Sequence, residues 1–332
     1  MRLLSLFIIP ALVALPSCGT TRERPEPKPP ARVQEEARTP DGLRRALASV
    51  RHLHQPLGAP RPGDWLTTSE EPGQTFDEYL QSSPVRATEG RRRIYVQPLG
   101  DFDPAQRRVV TLTADFMSRF FGLPVEVRDD LPLSLVPASA RRVHPEWGTE
   151  QLQAGYISMN ILKPSLPEDA AALVAFTAAD LYPGPELNFV FGQASLVDRV
   201  GVWSLHRLGD PSANEPSFKL VLLRTMKIAA HETGHMFSVR HCTKYECVMC
   251  GSNHINETDR RPIELCPECM AKICWATDTD PLQRYAGLAL FFARHGFPAE
   301  QRFCETSIEA LRSGPRAAGR EHEYGFEIRA II

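Results

Sequence analysis

The chain has 332 residues, is 42% hydrophobic and carries a net charge of −2. That length and apolar content suffice for one large domain or for a domain with a small appendage. This nearly neutral charge gives no indication of a nucleic-acid-binding surface or of a polybasic membrane patch, so we expect no nucleic-acid partner.

The first residues predict an export signal. Arg2 precedes the apolar run LLSLFIIPALVAL, which is too short to span a bilayer comfortably. The run ends in LPSC and is similar to the signals of bacterial lipoproteins, which implies removal of residues 1–17 and lipidation of Cys18. A plain cleaved signal peptide is the alternative. We expect a protein anchored in the cell envelope, with the outer membrane favoured by Gly19 where the host has one.

Residues 18–40 predict a disordered tether, because GTTRERPEPKPPARVQEEARTP contains five prolines and no aromatic residue. Residues 41–332 are expected to form the folded domain. It begins with an amphipathic helix, DGLRRALASVRHL, and an exposed proline-rich loop, QPLGAPRPGDW.

Strand and helix patterns then alternate. They run through the strand RRIYVQPLG, the helix PAQRRVVTLTADFMSRFFG with Gly122 as its C-cap, the strand LPVEVRDD and the helix QLQAGYISMNILKPS. Further strands are predicted in AALVAFTAADLY and LNFVFGQASLVDRVGVWSL. This alternation predicts an α/β fold with a mostly parallel sheet.

The next helix, FKLVLLRTMKIAAHETGHMF, has apolar residues at helical spacing and no proline, so it should be long and largely buried. His231 and His235 are four residues apart and therefore share one face, and Glu232 projects towards the same cleft. A helical H-E-x-x-H places two imidazoles on one Zn²⁺ and a general base beside its water. His241 would complete three ligands and leave one position open, as a catalytic zinc requires. The alternative is that some of these histidines are ordinary core or surface residues.

The segment from HETGHMFSVRHC onward resembles the archaemetzincins, a subfamily of the metzincin peptidases. In that family a cysteine follows the third histidine, and C-x4-C-x-M and C-x-x-C come next. This chain has HCTKYECVM and CPEC, and its GSNHINETDRRPIELCPEC, DLY and NFVFGQA segments are similar as well.

The resemblance implies a zinc metallopeptidase with a twisted mixed sheet, an active-site helix and a small C-terminal lobe that holds a four-cysteine zinc site. It implies that Glu232 is the general base and that Met249 packs beneath the metal without binding it. The implied ligands of the catalytic zinc are His231, His235 and His241.

A second, structural zinc is implied at Cys242, Cys247, Cys266 and Cys269, which gives two zinc ions per chain. The spacing of these two pairs agrees with a closed tetrahedral site of four thiolates. Disulfides are the alternative, since an exported protein can meet an oxidising compartment. Cys250 and Cys274 could pair with each other or compete as ligands, and Cys304 has no evident partner.

Ser238 stands where the metzincin motif usually has glycine. If its φ angle is positive, the strain is about 1 kcal/mol, which is small beside the binding energy of the zinc site. We expect the turn to survive.

We expect a peptide or protein substrate, which the strand in LNFVFGQA would align in antiparallel fashion, and a monomeric enzyme. The resemblance implies aminopeptidase-like cleavage of small peptides. One alternative is a non-catalytic, zinc-stabilised envelope lipoprotein that binds or scaffolds other molecules. Another is an interaction lipoprotein braced by disulfides. Glu232 favours the enzyme, because a purely structural site needs no carboxylate beside an open ligand position.

Overall fold

The computed structural model describes residues 31–184 and 187–315. The predicted export signal, Cys18 and residues 18–30 of the predicted tether lie outside these residues. Within them, no helix combines the length and apolar character that crossing a membrane requires.

The helices of the described residues are α1 (Ala31–Arg38), α2 (Pro40–Val50), α3 (Phe76–Gln81), α4 (Pro104–Phe121), α5 (Ala154–Tyr156, continued as a π-helix over Ile157–Leu162), α6 (Glu215–Met236), α7 (Ile255–Arg260), α8 (Pro267–Thr277), α9 (Pro281–His295) and α10 (Pro298–Ser313). The strands are β1 (Arg93–Leu99), β2 (Val125–Val127), β3 (Arg141–Val143), β4 (Glu150–Gln153), β5 (Ala170–Thr177), β6 (Asp180–Tyr182), β7 (Gly192–Ala194) and β8 (Val200–Ser204).

The main sheet has the strand order β2-β1-β5-β8-β7. Its first four strands are parallel, and β7 lies antiparallel to β8 at the edge. The predicted mostly parallel sheet is confirmed. Every residue of β5 is buried, as expected for a parallel strand covered on both faces. A smaller sheet pairs β3 with β4 and β4 with β6.

Two apolar cores cover the two faces of the main sheet. Alternate residues of β5 contribute to each, with Val174 and Phe176 in the larger core and Leu173 and Ala175 in the smaller one. The larger core also contains residues of α4, α6, α8 and α9. Helix α4 ends at Gly122, whose φ of 62° confirms the predicted C-cap.

Helix α6 begins at an Asn214 cap, whose side chain accepts a hydrogen bond from the Ser217 amide at 2.9 Å. The helix packs against α4 and against the strands β7 and β8. It therefore brings its C-terminal turns, which carry the histidine motif, beneath the edge strand of the main sheet.

Three expectations from the sequence are corrected. Residues 31–38 form α1 rather than disordered tether, and the Arg38 guanidinium lies 3.1 Å from the Asp278 carboxylate. The predicted helix QLQAGYISMNILKPS begins as strand β4, because pairing with β3 and β6 outweighs its local helical pattern. The four cysteines belong to the larger core, so they do not form a lobe with a core of its own.

Candidate metal centre

The three motif histidines converge on one point. The Nε2 atom of His231 lies 3.0 Å from Nε2 of His235 and 3.2 Å from Nε2 of His241. The first two histidines share one face of α6, and the turn after the helix returns the third to them. The structure thus brings together the ligand set that the sequence predicts.

The other nitrogen of each ring is held by an oxygen acceptor. Nδ1 of His231 donates to the carbonyl of Val248 at 2.8 Å, and Nδ1 of His235 donates to the carbonyl of Val239 at 2.7 Å. Nδ1 of His241 lies 2.7 and 2.9 Å from the two carboxylate oxygens of Glu71. Because each Nδ1 carries the proton, each Nε2 presents a lone pair to the same point.

This donor set fits a zinc ion. Tetrahedral ligation at about 2.0–2.1 Å places neighbouring nitrogens about 3.3 Å apart, close to the observed separations. Three lone pairs facing one another repel unless a cation lies between them. Burial holds the pKa of His231 well below its usual range and lowers the pKa of His235 to about 4, so both rings are neutral, as metal ligands must be.

Glu232 lines the same small cavity as His231. Burial raises the pKa of its carboxyl group to about 8, and a divalent cation close by would favour the ionised form. Strand β7 passes directly over this side chain: a Cβ atom on Gly192 would lie 2.9 Å from Cγ of Glu232 and 2.9 Å from Cβ of Trp203. Glycine at this position lets the edge strand approach the predicted general base.

Met249 is fully buried against the motif helix. A Cβ atom on Gly234 would lie 2.6 Å from the Met249 sulfur, so the thioether packs directly on the helix backbone. The Met249 carbonyl accepts a hydrogen bond from the Cys242 amide at 2.8 Å. These contacts agree with a packing role for this methionine.

Ser238 has a φ of 62°, the left-handed conformation that favours glycine. Its hydroxyl donates to the carbonyl of Leu196 at 2.9 Å and accepts from the amide of Val85 at 3.1 Å. Two hydrogen bonds of this kind contribute about 1 kcal/mol each, which offsets the expected strain. The serine therefore fixes the turn to two neighbouring segments, which glycine could not do.

The four predicted thiol ligands form a second cluster whose sulfur atoms all lie within 4.8 Å of one another. Sγ of Cys242 is 3.6 Å from Sγ of Cys266, close to the separation of about 3.8 Å that tetrahedral zinc–thiolate bonds of about 2.3 Å require. Hydrogen bonds from the other thiols, that of Cys247 first, lower the pKa of Cys242. The cluster therefore fits a closed zinc site.

All seven cysteines of the described residues are free thiols, so the predicted alternative of disulfides finds no support there. Cys250, Cys274 and Cys304 lie outside the four-thiol cluster. Cys250 is its neighbour, and its thiol donates to the Tyr245 carbonyl at 3.3 Å.

The segment of residues 55–75, here called the strap, crosses the metal centre, a role that its sequence does not predict. The strap supplies Glu71, and the ring of its Trp65 lies 5.4 Å from the ring of His241. Its first residues hydrogen-bond to the loop after the motif, through the amide of Leu57 and the carbonyl of Lys244 at 3.0 Å. No spacing signal connects the strap with the histidine motif.

Two cavities adjoin the histidines, one on each side. A cavity of ≈ 70 Å³ is lined by His231, Glu232 and Phe191, together with residues of α6 and of the segment from Val248 to Pro262. A wider one of ≈ 360 Å³ is lined by His235 and His241, by Ala194 at the end of β7, and by the strap. The edge strand therefore runs from one cavity to the other across the metal centre.

This chain is similar in sequence to a family of known proteins. A model of "Peptidase family M54" matches residues 155–274. Archaemetzincin-2 from Homo sapiens is 34% identical over 278 residues, which cover 74% of this chain and 76% of that protein. Archaemetzincin from Thermococcus kodakarensis is 34% identical over 164 residues, covering 48% of this chain and 85% of that protein. The crystal structure of archaemetzincin from Methanopyrus kandleri aligns with a TM-score of 0.43 at 28% identity, over 55% of this chain and 92% of that one.

The match to the human relative extends over most of both chains and includes far more than the histidine motif. Within this chain, the segment that the family model matches contains the three histidines and the four clustered cysteines. The chain therefore belongs to the archaemetzincin family, Peptidase family M54, and is a zinc metallopeptidase.

Proposed function

We propose that this peptidase hydrolyses peptide bonds at the point where the three Nε2 atoms converge, with Glu232 as general base. A zinc ion bound there supplies a Lewis acid that polarises water and the peptide carbonyl. The Glu232 carboxylate takes a proton from the attacking water and returns it to the leaving amine. The single observation that carries this proposal is the convergence of three Nε2 lone pairs beside a buried carboxylate.

The substrate would bind as an extended chain along β7. This strand is an edge of the main sheet, and its outer backbone groups are free to pair with a peptide in antiparallel fashion. The cavities at its two ends would receive side chains on either side of the scissile bond. The cavity of ≈ 70 Å³ beside Glu232 would take the smaller group, and the cavity of ≈ 360 Å³ beside His235 and His241 the larger one.

The proposed general base is tested with Glu232→Ala, with Glu215→Gln as the control in the exposed first turn of the same helix. We expect Glu232→Ala to bind zinc normally and to lose about 10²- to 10⁴-fold in kcat on a peptide library. Glu215→Gln should match the wild type in both measurements. Equal hydrolysis by Glu232→Ala and wild type would sink the proposal, and so would absence of hydrolysis in every peptide tested.

Aminopeptidase-like cleavage is part of the proposal and is measured separately. Matched peptides with free and acetylated N-termini are digested, and the products are identified by mass spectrometry. An aminopeptidase cleaves only the free form, near its N-terminus. Equal cleavage of both forms at internal bonds would instead assign an endopeptidase.

We also propose that lipidated Cys18 anchors the enzyme in the cell envelope, on the strength of the LPSC signal in the sequence. Metabolic labelling with a radioactive fatty acid is expected to mark the wild type and to fail with Cys18→Ser, which should be released from the membrane fraction. Unlabelled wild-type protein would contradict the anchor without affecting the proposed chemistry.

A further inference from the structure

The cavity beside Glu232 is lined by two cations. Lys227 and Arg261 both line it, together with His231 and Glu232. Lys227 lies one helical turn before His231 on α6, about 6 Å along the helix axis. Lys227 therefore lies about one helical turn from the metal centre, within the reach of a substrate side chain.

Lys227 carries a buried ammonium group, and no carboxylate among the described residues forms a salt bridge with it. Its side chain is only 5% exposed, and Nζ donates to the carbonyls of Thr258 and Asp259 at 3.1 Å each. The nearby carboxylate of Asp259 is bound by Arg224 through two hydrogen bonds of 2.9 and 2.6 Å. Burial lowers the pKa of Lys227 to about 8, so the group is still mainly charged at neutral pH.

The two carbonyls belong to the last turn of α7, so Lys227 also caps that helix. Capping uses two of its three N–H donors and leaves one unassigned. Arg261 is in a similar position. It pairs with Glu246 at 2.6 Å and with Glu257 at 3.3 Å, yet its buried Nε–H has no partner among the described residues. One N–H donor of Lys227 therefore remains for a ligand in the cavity, and the Arg261 guanidinium adds a second positive charge to the cavity wall.

The cavity lies on the side of the leaving amine. Glu232, which lines it, must return a proton to the leaving nitrogen, so the residue that carries that nitrogen lies next to this carboxylate. Its side chain then points past Glu232 into the cavity, between the apolar walls formed by Phe191, Ile228 and Val248.

We infer that this cavity selects a carboxylate on the leaving-group side of the scissile bond, with Lys227 and Arg261 as the specificity-determining residues. The inference rests on the proposed peptidase function. The carboxylate comes either from a glutamate or aspartate side chain or from the free C-terminus of a short peptide. The same charge-assisted hydrogen bonds would recognise both sources.

The test uses short peptides in four matched forms, with glutamate or glutamine directly after the scissile bond and with a free or an amidated C-terminus. We expect kcat/KM of the zinc-loaded full chain to favour glutamate over glutamine, or free acid over amide, by at least about tenfold. The first preference assigns the side chain as the source, and the second assigns the terminal carboxylate.

Lys227→Met is expected to reduce that preference to within about threefold. Lys219→Met is the control, because Lys219 lies on the same helix and also donates to a carbonyl, that of Gly296 at 3.4 Å, but does not line the cavity. Lys227→Arg keeps the charge and should keep the direction of the preference. Wild-type ratios near one for both comparisons would overturn the inference even if Lys227→Met fails to fold.

Binding measured without turnover separates this inference from the proposed chemistry. The zinc-loaded Glu232→Ala variant is titrated with the four labelled peptides, and anisotropy should show the same carboxylate preference. Equal affinities in all four titrations would overturn the inference, whereas a preference without hydrolysis by wild type would uphold it and remove the proposed function.

Discussion

Glu71 holds the third histidine of the metal centre from a position 170 residues earlier in the chain. A carboxylate that accepts the Nδ1 proton fixes the tautomer of a ligand histidine, orients its ring and raises its basicity. The two other motif histidines use backbone carbonyls for the same purpose. Of the three groups that accept the Nδ1 protons of the ligand histidines, only Glu71 can therefore be removed by substituting a side chain.

Glu71→Gln is expected to weaken zinc binding at the catalytic site by about 10- to 100-fold, because a neutral amide is a weaker acceptor than a carboxylate. Competition with a chromophoric chelator measures this affinity directly. Glu70→Gln is the matched control, since Glu70 is the exposed neighbour in the same loop. Wild-type affinity in Glu71→Gln would mean that the strap positions His241 by packing alone.

At the scale of elements, the four-thiol cluster joins the loop after α6 to the start of α8. Cys242 and Cys247 lie in that loop, and Cys266 caps α8 by accepting a hydrogen bond from the Cys269 amide. Cys269 itself lies in the first turn of the same helix. The cluster therefore fixes the backbone that follows the third histidine, including the Met249 turn.

Cys269→Ser is expected to lower the zinc content from about two ions per chain to about one and to reduce Tm by several degrees. Cys274→Ser is its control, because Cys274 is buried in the same helix but lies outside the cluster. Metal analysis and thermal unfolding of both variants decide the question. Unchanged zinc content in Cys269→Ser would exclude a structural zinc at these thiols.

Some of these elements can be predicted from the sequence and others cannot. The sequence predicts helix α6 over residues 218–237, close to its span of residues 215–236, because a long apolar periodicity without proline is a local property. The predicted metal ligands can also be recognised locally, because all seven lie within residues 231–269. The strap has no such signal: its prolines predict an exposed loop, and its contacts depend on how distant segments pack.

At the scale of the whole molecule, the main sheet and its two cores follow from the alternation of strands and helices that the sequence displays. The cationic cavity does not. In the sequence, Lys227 is a single polar residue in a predicted buried helix and Arg261 is a single charged residue in a loop. Only the folded structure shows that both line one cavity with Glu232. A cavity that is formed by side chains from several helices and loops therefore cannot be predicted from local sequence patterns.

The strap also sets the order in which the catalytic centre can be completed during synthesis. Glu71 leaves the ribosome 170 residues before the histidine that it holds, and that histidine precedes Cys269 of the second cluster. Until translation has passed His241, the newly made chain offers a metal ion an incomplete catalytic site, and the cysteine cluster is completed only at Cys269. Zinc acquisition at the catalytic centre therefore follows translation of His241 at the earliest, long after the strap has been made.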